Sequence, residues 1–230
     1  QFVLAQYHPA GELMDEPGIN RVTVEEVTEG TPPDKYHRFL SQNNAIWPHE
    51  KYLNIWLMSE TKYPKFWNSI TKLCVPKYRL GSETLPGLSL PPVPSTWVPK
   101  VEQIGILFRM STFQYFQRSI DATAERELVT CIGNYLGLLD TWKINNSNVN
   151  DQCNDTFAYG IVNNNGSLGT NSSWSKEVGS YRFLSENIMD DPTGTHRSVS
   201  KDQALRMYWV LKNCAGRSMW QSDFALTGKE

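Results

Sequence analysis

The stretch Thr130-Cys131-Ile132-Gly133-Asn134-Tyr135-Leu136-Gly137-Leu138-Leu139-Asp140 decides how this chain is read. Leu128, Ile132, Tyr135 and Leu139 recur at spacings of four, three and four, the signature of a helix with one buried face. Asp121 is placed to cap such a helix, which runs to about Leu139. Thr130 and Asn134 stand four apart on a different face, and Cys131 lies close to the buried one. Gly137 lets the chain turn, and Asp140 follows it by three positions.

Those offsets have a chemical meaning. Two histidines at i and i+4 on one helix face reach a single zinc ion, and a glutamate between them acts on the metal-bound water. A glycine then turns the chain so that a third histidine arrives. In the pattern H-E-x-x-H-x-x-G-x-x-H these groups hold fixed offsets. With Gly137 as the turn glycine, Thr130 and Asn134 take the first two ligand positions, Cys131 takes that of the general base, and Asp140 that of the third ligand. The frame is kept while its chemically active positions are replaced.

The chain has four histidines, His8, His37, His49 and His196, and none lies between residues 50 and 195. Threonine and asparagine are neutral and poor zinc ligands, which leaves Asp140, with the thiolate of Cys131 as a second donor. Two donors hold zinc too weakly for a stable catalytic metal, so the residues predict no bound zinc and no catalytic group. Cys131 sits mid-helix among apolar neighbours, away from a helix N-terminus and from any histidine in sequence, which makes it a structural thiol rather than a nucleophile.

Further motifs keep company with this frame. Downstream comes Ser185-Glu186-Asn187-Ile188-Met189-Asp190-Asp191; between the two stands Asp151-Gln152-Cys153-Asn154-Asp155-Thr156, and the segment from Gln203 to Cys214 follows. In order, spacing and wording these resemble the pappalysin-type metzincins, in particular the zinc-dependent metalloproteinase lipoproteins of Bacteroides-type bacteria. The runs Gln1-Phe2-Val3-Leu4-Ala5, Pro17-Gly18-Ile19-Asn20-Arg21-Val22 and Tyr52-Leu53-Asn54-Ile55-Trp56-Leu57-Met58 are similar to that family too. The resemblance implies an α/β, metzincin-like (zincin) fold: a mixed twisted sheet, an active-site-type helix and a loop-rich C-terminal lobe. It implies one peptidase-like domain over residues 1–230, with an upper lobe to about residue 140 and a lower lobe from about 141 that carries the methionine turn and the last helix.

The same resemblance places Met189 beneath the metal position and makes Cys153 and Cys214 a disulfide candidate, because the Cys-x-Asp-Thr loop of that family is commonly tied by one. Such a bridge would contribute about 2–4 kcal/mol and would fit an oxidising compartment; Cys74 is expected to stay a thiol. The function implied is that of a catalytically inactive metallopeptidase homologue, a pseudopeptidase, that binds a peptide or protein in a retained cleft. Residues 103–110 are the candidate rim strand that pairs with an extended chain. The competing expectation is an active extracytoplasmic zinc metallopeptidase with a non-standard site made of Asp140, Cys131 and His196. A third is a surface lipoprotein whose cleft binds nothing. Asp155, Asp190 and Asp191 are candidate structural calcium ligands, although their spacing follows no established calcium code.

Bulk properties narrow the partners. A chain of 230 residues supports a sizeable core in one domain. The net charge of −2, with scattered lysine and arginine, lacks the footprint of a nucleic-acid binder. Apolar runs such as residues 52–58 and 104–110 are too short to span a bilayer. Gln1 opens directly in an apolar run, so a leader or first strand is expected upstream, and membrane attachment is expected only through an N-terminal lipid anchor there. Eight tryptophans, ten tyrosines and Asn-rich loops suit an extracytoplasmic protein at the cell surface or in the periplasm. The sequons at Asn145, Asn154, Asn165 and Asn171 read as polar loop residues in a bacterial source.

Along the chain, strands are expected at residues 2–5, 22–27, 52–58 and 103–110, and a helix at 35–42 before a turn at Trp47-Pro48. Residues 62–100 hold most of the prolines and are expected to form a long surface loop. Residues 143–176 turn to Asn, Ser and Gly and read as loop with little core; the resemblance puts Tyr159, and Tyr181 beyond this region, near where a protease cleft would be lined. Ser200-Lys201-Asp202-Gln203 is a capping-box signature for a final helix that is expected to bury Leu205, Tyr208, Trp209 and Leu211.

Overall fold

A computed structural model describes residues 2–22, 40–41, 43–58, 72–77, 84–85, 103–109, 123–144, 149–161, 175–178, 181–190 and 197–221. Within these, the chain is mixed α/β. Strands β1 (Ile55–Met58), β2 (Lys72–Val75) and β3 (Gly105–Arg109) form a sheet of order β1-β3-β2. β3 runs parallel to β1 and antiparallel to β2. Helix α1 (Thr123–Tyr135) packs against that sheet. The rest of the described chain carries β4 (Trp142–Ile144) parallel to β5 (Tyr159–Ile161), and β6 (Ser175–Val178) antiparallel to β7 (Tyr181–Leu184). Helix α2 (Lys201–Asn213) and a short 3-10 turn, Met219–Gln221, follow.

The core lies between sheet and helix. Ile104, Ile106 and Phe108 from the central strand meet Cys131, Tyr135 and Leu136, with Leu128 and Ile132 at the margin. Three of the four expected helix positions thus face this core, and removing such side chains from water is the main stabilising term here. Asn54 ties the preceding loop to β1: its side-chain amide donates to Trp47 O (2.8 Å) and its oxygen accepts from Trp47 N (3.0 Å). The Trp56 indole donates to Ala45 O at 2.8 Å.

Several expectations change. Residues 2–5 form no strand; the segment closes its hydrogen bonds on itself, Gly18 N to Ala5 O and Met14 N to Gln6 O, and leaves Phe2, Val3 and Leu4 exposed. The strand expected at 103–110 is not a rim, because among the described residues both of its edges are taken, by β1 and by β2. β2 itself arises within the proline-rich region expected to be loop: residues 72–75 are free of proline, and Pro76 ends the strand by removing a ladder donor. The Asn-rich region likewise contributes β5, with Tyr159 buried. Residues 23–27 of the expected second strand and 35–39 of the expected helix lie outside the described residues; residues 40 and 41 are helical.

Helix α2 begins where expected. Ser200 Oγ accepts from Gln203 N, and Gln203 Oε1 accepts from Ser200 N, which is a complete capping box. The buried face differs from the apolar one: Gln203, Arg206 and Val210 point inward, while Leu205 is 56% and Tyr208 39% exposed.

Candidate functional site

The site is built on the C-terminal end of α1. Gly137 has φ +87°, a conformation costly for any residue with a Cβ. It permits Leu138 N to reach Gly133 O (2.9 Å) and Gly137 N to reach Asn134 O (3.0 Å), the Schellman pairing that satisfies the last carbonyls of a helix. The last turn of α1 contains no basic residue, so its dipole is met by cations from distant sequence. Arg217, fully buried, donates from Nη1 to Tyr135 O (2.6 Å), and Arg206 donates from Nε to Gly137 O (2.7 Å). Burial pushes the Arg217 pKa down to about 10, which still leaves it charged at neutral pH. The Tyr135 hydroxyl donates to Gly216 O, and burial raises its pKa.

Facing this helix end is the turn at residues 187–190, with Met189 fully buried. A Cβ on Gly133 would sit 2.4 Å from Met189 Sδ, so the glycine is what lets the methionine lie against the helix backbone. Leu138, Ile188 and Met189 form their own small core, with Val129 and Met207 at its edge. Polar groups pin the turn from every side. Thr130 Oγ1 donates to Ile188 O (2.9 Å), while Thr141 donates to Met189 O through its backbone N (3.0 Å) and Oγ1 (3.1 Å). Asn187 Oδ1 accepts from Met189 N (2.9 Å), and the Tyr159 hydroxyl donates to Asp190 Oδ1. Asn187 and Gln203 exchange paired amide hydrogen bonds of 2.7 and 3.1 Å, which ties the turn to the first turn of α2.

The positions read as emptied metal ligands therefore converge, but each is committed to protein. The Thr130 hydroxyl serves the Ile188 carbonyl. Asn134 is buried, and its Nδ2 donates to Leu138 O and to Asp140 Oδ1, both at 3.2 Å. Asp140 Oδ2 lies 3.6 Å from the ammonium of Lys77, a half-exposed residue just past the end of β2. Cys131 packs with Ile104, Ile106 and Phe108 in the sheet-facing core, apart from the cluster around Met189. These residues do not fit a zinc centre, since the hydroxyl and amides at the ligand positions are engaged and the one carboxylate already meets an ammonium and an amide. Among the described residues, no group of three or more His, Cys, Asp or Glu side chains is placed to hold a metal. His196 and Asp191 lie outside the described residues.

Cys153 and Cys214, the disulfide candidate, are both thiols in the structure, and each interacts electrostatically with the Arg206 guanidinium. Burial, reinforced by the Asp151 carboxylate, pushes the Cys153 thiol up to about 12, and burial pushes Cys214 up to about 11. The loop between Asp151 and Thr156 is fastened by its own carboxylates: Asp151 accepts from Thr156 Oγ1 and Cys153 N. Asp155 Oδ2 accepts from Asp202 N, and Asp202 Oδ2 accepts from Asn154 N, each at 3.0 Å. The Ser200 hydroxyl and the Asp202 amide lower the Asp155 pKa. The expected calcium candidates Asp155 and Asp190 thus act as acceptors for the start of α2 and for Tyr159. Tyr159 supports the turn from beneath rather than lining a cleft.

The sequence motifs did not single out Lys77, Arg206, Arg217 or Gly133, and they gave Gln203 only a capping role. The usable signal is the spacing of Gln203, Arg206 and Val210 by three and four, one helix face with two polar residues and a valine. No family model and no curated protein matches the chain. Among the described residues no helix is long and apolar enough to cross a membrane.

Proposed function

We propose that this chain is a catalytically inactive metzincin-type homologue, a pseudopeptidase, that binds an extended peptide or protein segment. The observation that carries this reading is Met189 buried against Gly133, directly below a helix end whose ligand positions hold Thr130, Asn134 and Asp140. The reading is supported by a buried methionine lying against the helix and by the hydrogen bonds that engage Thr130, Asn134 and Asp140. Hydrolysis lacks an activated water on this arrangement, whereas peptide pairing needs only backbone groups along a strand edge. The rim role first expected of residues 103–110 passes in this proposal to β2, an outer strand of the β1-β3-β2 order, which leads to Lys77 beside Asp140. An extracytoplasmic location belongs to the same proposal.

The test has two arms. Purified protein, dialysed and analysed for metals, should hold no stoichiometric zinc and should show no chelator-sensitive cleavage of a peptide library. The same library, screened for binding, should yield ligands that protect the amides of residues 72–75 from hydrogen exchange. Tightly held zinc with chelator-sensitive cleavage would instead establish the active enzyme built on Asp140, Cys131 and His196. Failure of every peptide to bind would leave a structural surface protein.

A further inference from the structure

Of the four cysteines, the two that sequence separates most clearly by element are brought together. Cys74 stands on β2 opposite Ile106, and Cys131 stands in the middle of α1. The Cys74 sulfur lies 3.4 Å from the Cys131 carbonyl oxygen and 3.6 Å from that of Pro76. Both side chains join one apolar cluster with Ile106 and Tyr135, so they share a neighbourhood as well as a contact. Both are thiols in the structure, as expected for Cys74.

We propose that Cys74 and Cys131 are a redox pair that forms a disulfide between β2 and α1 when the protein meets a small-molecule disulfide. A disulfide needs Cβ atoms about 3.5–4.5 Å apart, a separation compatible with a cysteine sulfur touching its partner's backbone, and rotation about the Cys74 side chain redirects that sulfur from carbonyl to thiol. Access is asymmetric: Cys74 is half-buried at the sheet edge, and Cys131 is 3% exposed. Cys74 is accordingly the first to react.

The exchange balances as follows. The Cys74 thiolate attacks one sulfur of the small disulfide and expels one small thiolate. The Cys131 sulfur then attacks Cys74 in the mixed disulfide, expels the second small thiolate and gives up its proton to it. The protein loses two electrons and two protons, and the small disulfide gains them to become two thiols. The bond would join β2 to α1 across a long stretch of intervening chain, holding the strand edge against the helix.

Glutathione disulfide is the probe. Trypsin places the cysteines in different peptides: Cys74 in residues 73–77, Cys131 in 127–143, Cys153 in 144–176 and Cys214 in 213–217. Folded wild-type protein is incubated with the probe, alkylated, digested without reduction and mapped by mass spectrometry. The expected product is peptide 73–77 joined to 127–143, two hydrogens lighter than the pair, accompanied by a rise in melting temperature that reducing agent reverses. In Cys131→Ser the glutathione adduct should instead persist on Cys74. A stable adduct on Cys74 in the wild type, with Cys131 fully alkylated after unfolding, would overturn the proposal. So would a Cys153–Cys214 linkage as the sole product. The wild-type map decides the matter even where Cys131→Ser does not fold.

Discussion

Adding one methyl group at residue 133 tests the packing on which the site stands. Gly133→Ala should stabilise an isolated helix by about 1 kcal/mol through propensity alone. Here the new Cβ would sit 2.4 Å from Met189 Sδ, with Ile188 Cδ1 and Leu138 Cδ1 each 3.5 Å away. Met189 is fully buried, so the sulfur has no solvent to move into. Overpacking a filled core costs about 1–3 kcal/mol, and the central value less the helix gain leaves a net loss of roughly 1 kcal/mol. Met189→Ala alone removes buried volume and should cost about 2–5 kcal/mol. In that background the obstruction is gone, so Gly133→Ala should reverse sign and stabilise by about 1 kcal/mol. The double-mutant cycle then carries a coupling of roughly 2 kcal/mol, well above the few tenths seen for independent sites. Urea denaturation of the four proteins, with equal m-values as the two-state check, supplies the numbers. Equal stabilisation by Gly133→Ala in both backgrounds would refute the contact between Met189 and the helix, and with it the support for the proposed family.

The other predictions address the polar pins. Thr130→Val keeps the shape but removes the donor to Ile188 O, and should cost about 1–2 kcal/mol with an unchanged metal content; an unaffected urea midpoint would argue against that hydrogen bond. Gln203→Leu leaves the Asn187 Nδ2 and the Ser200 N–H without their partner and takes one of two donors from Asn187 Oδ1, and should cost about 2–4 kcal/mol. Ser200→Ala, which removes one cap, should cost about 1 kcal/mol, and the reverse ranking of the two would contradict the amide pair. Cys153 gives a pH signature. Its folded pKa of about 12 lies above that of an unfolded thiol, so its contribution to stability is complete below the unfolded value and is lost as pH rises through the folded one. Half-burial and screening reduce the effect to about 1–2 kcal/mol. Cys153→Ala should therefore lose less stability than the wild type between about pH 8.5 and pH 11, read as urea midpoints; parallel pH profiles would sink this assignment.

Local pattern and tertiary structure divided the information cleanly. The 3.6-residue recurrence of Leu128, Ile132 and Tyr135, the glycine at 137 and the Ser200–Gln203 box are short-range signals, because hydrogen bonds three to five residues apart create them. The contact of Met189 with α1, and the reason for it, the absent Cβ of Gly133, emerged only when the two segments were side by side. Strand β2 was hidden because a run of four residues among prolines acquires its partner from β3, more than thirty residues later.

Helix α2 shows the limit most clearly. Sequence by itself determined that a helix starts after Ser200, since capping and propensity belong to the segment itself. Only the tertiary structure decided which face turns inward. The Gly137 carbonyl and the Asn187 amide, brought there by other elements, are polar groups that burial would penalise heavily without partners, so Arg206 and Gln203 occupy the interior while Leu205 and Tyr208 face outward. Hydrophobic ranking within one helix contains no record of those distant groups.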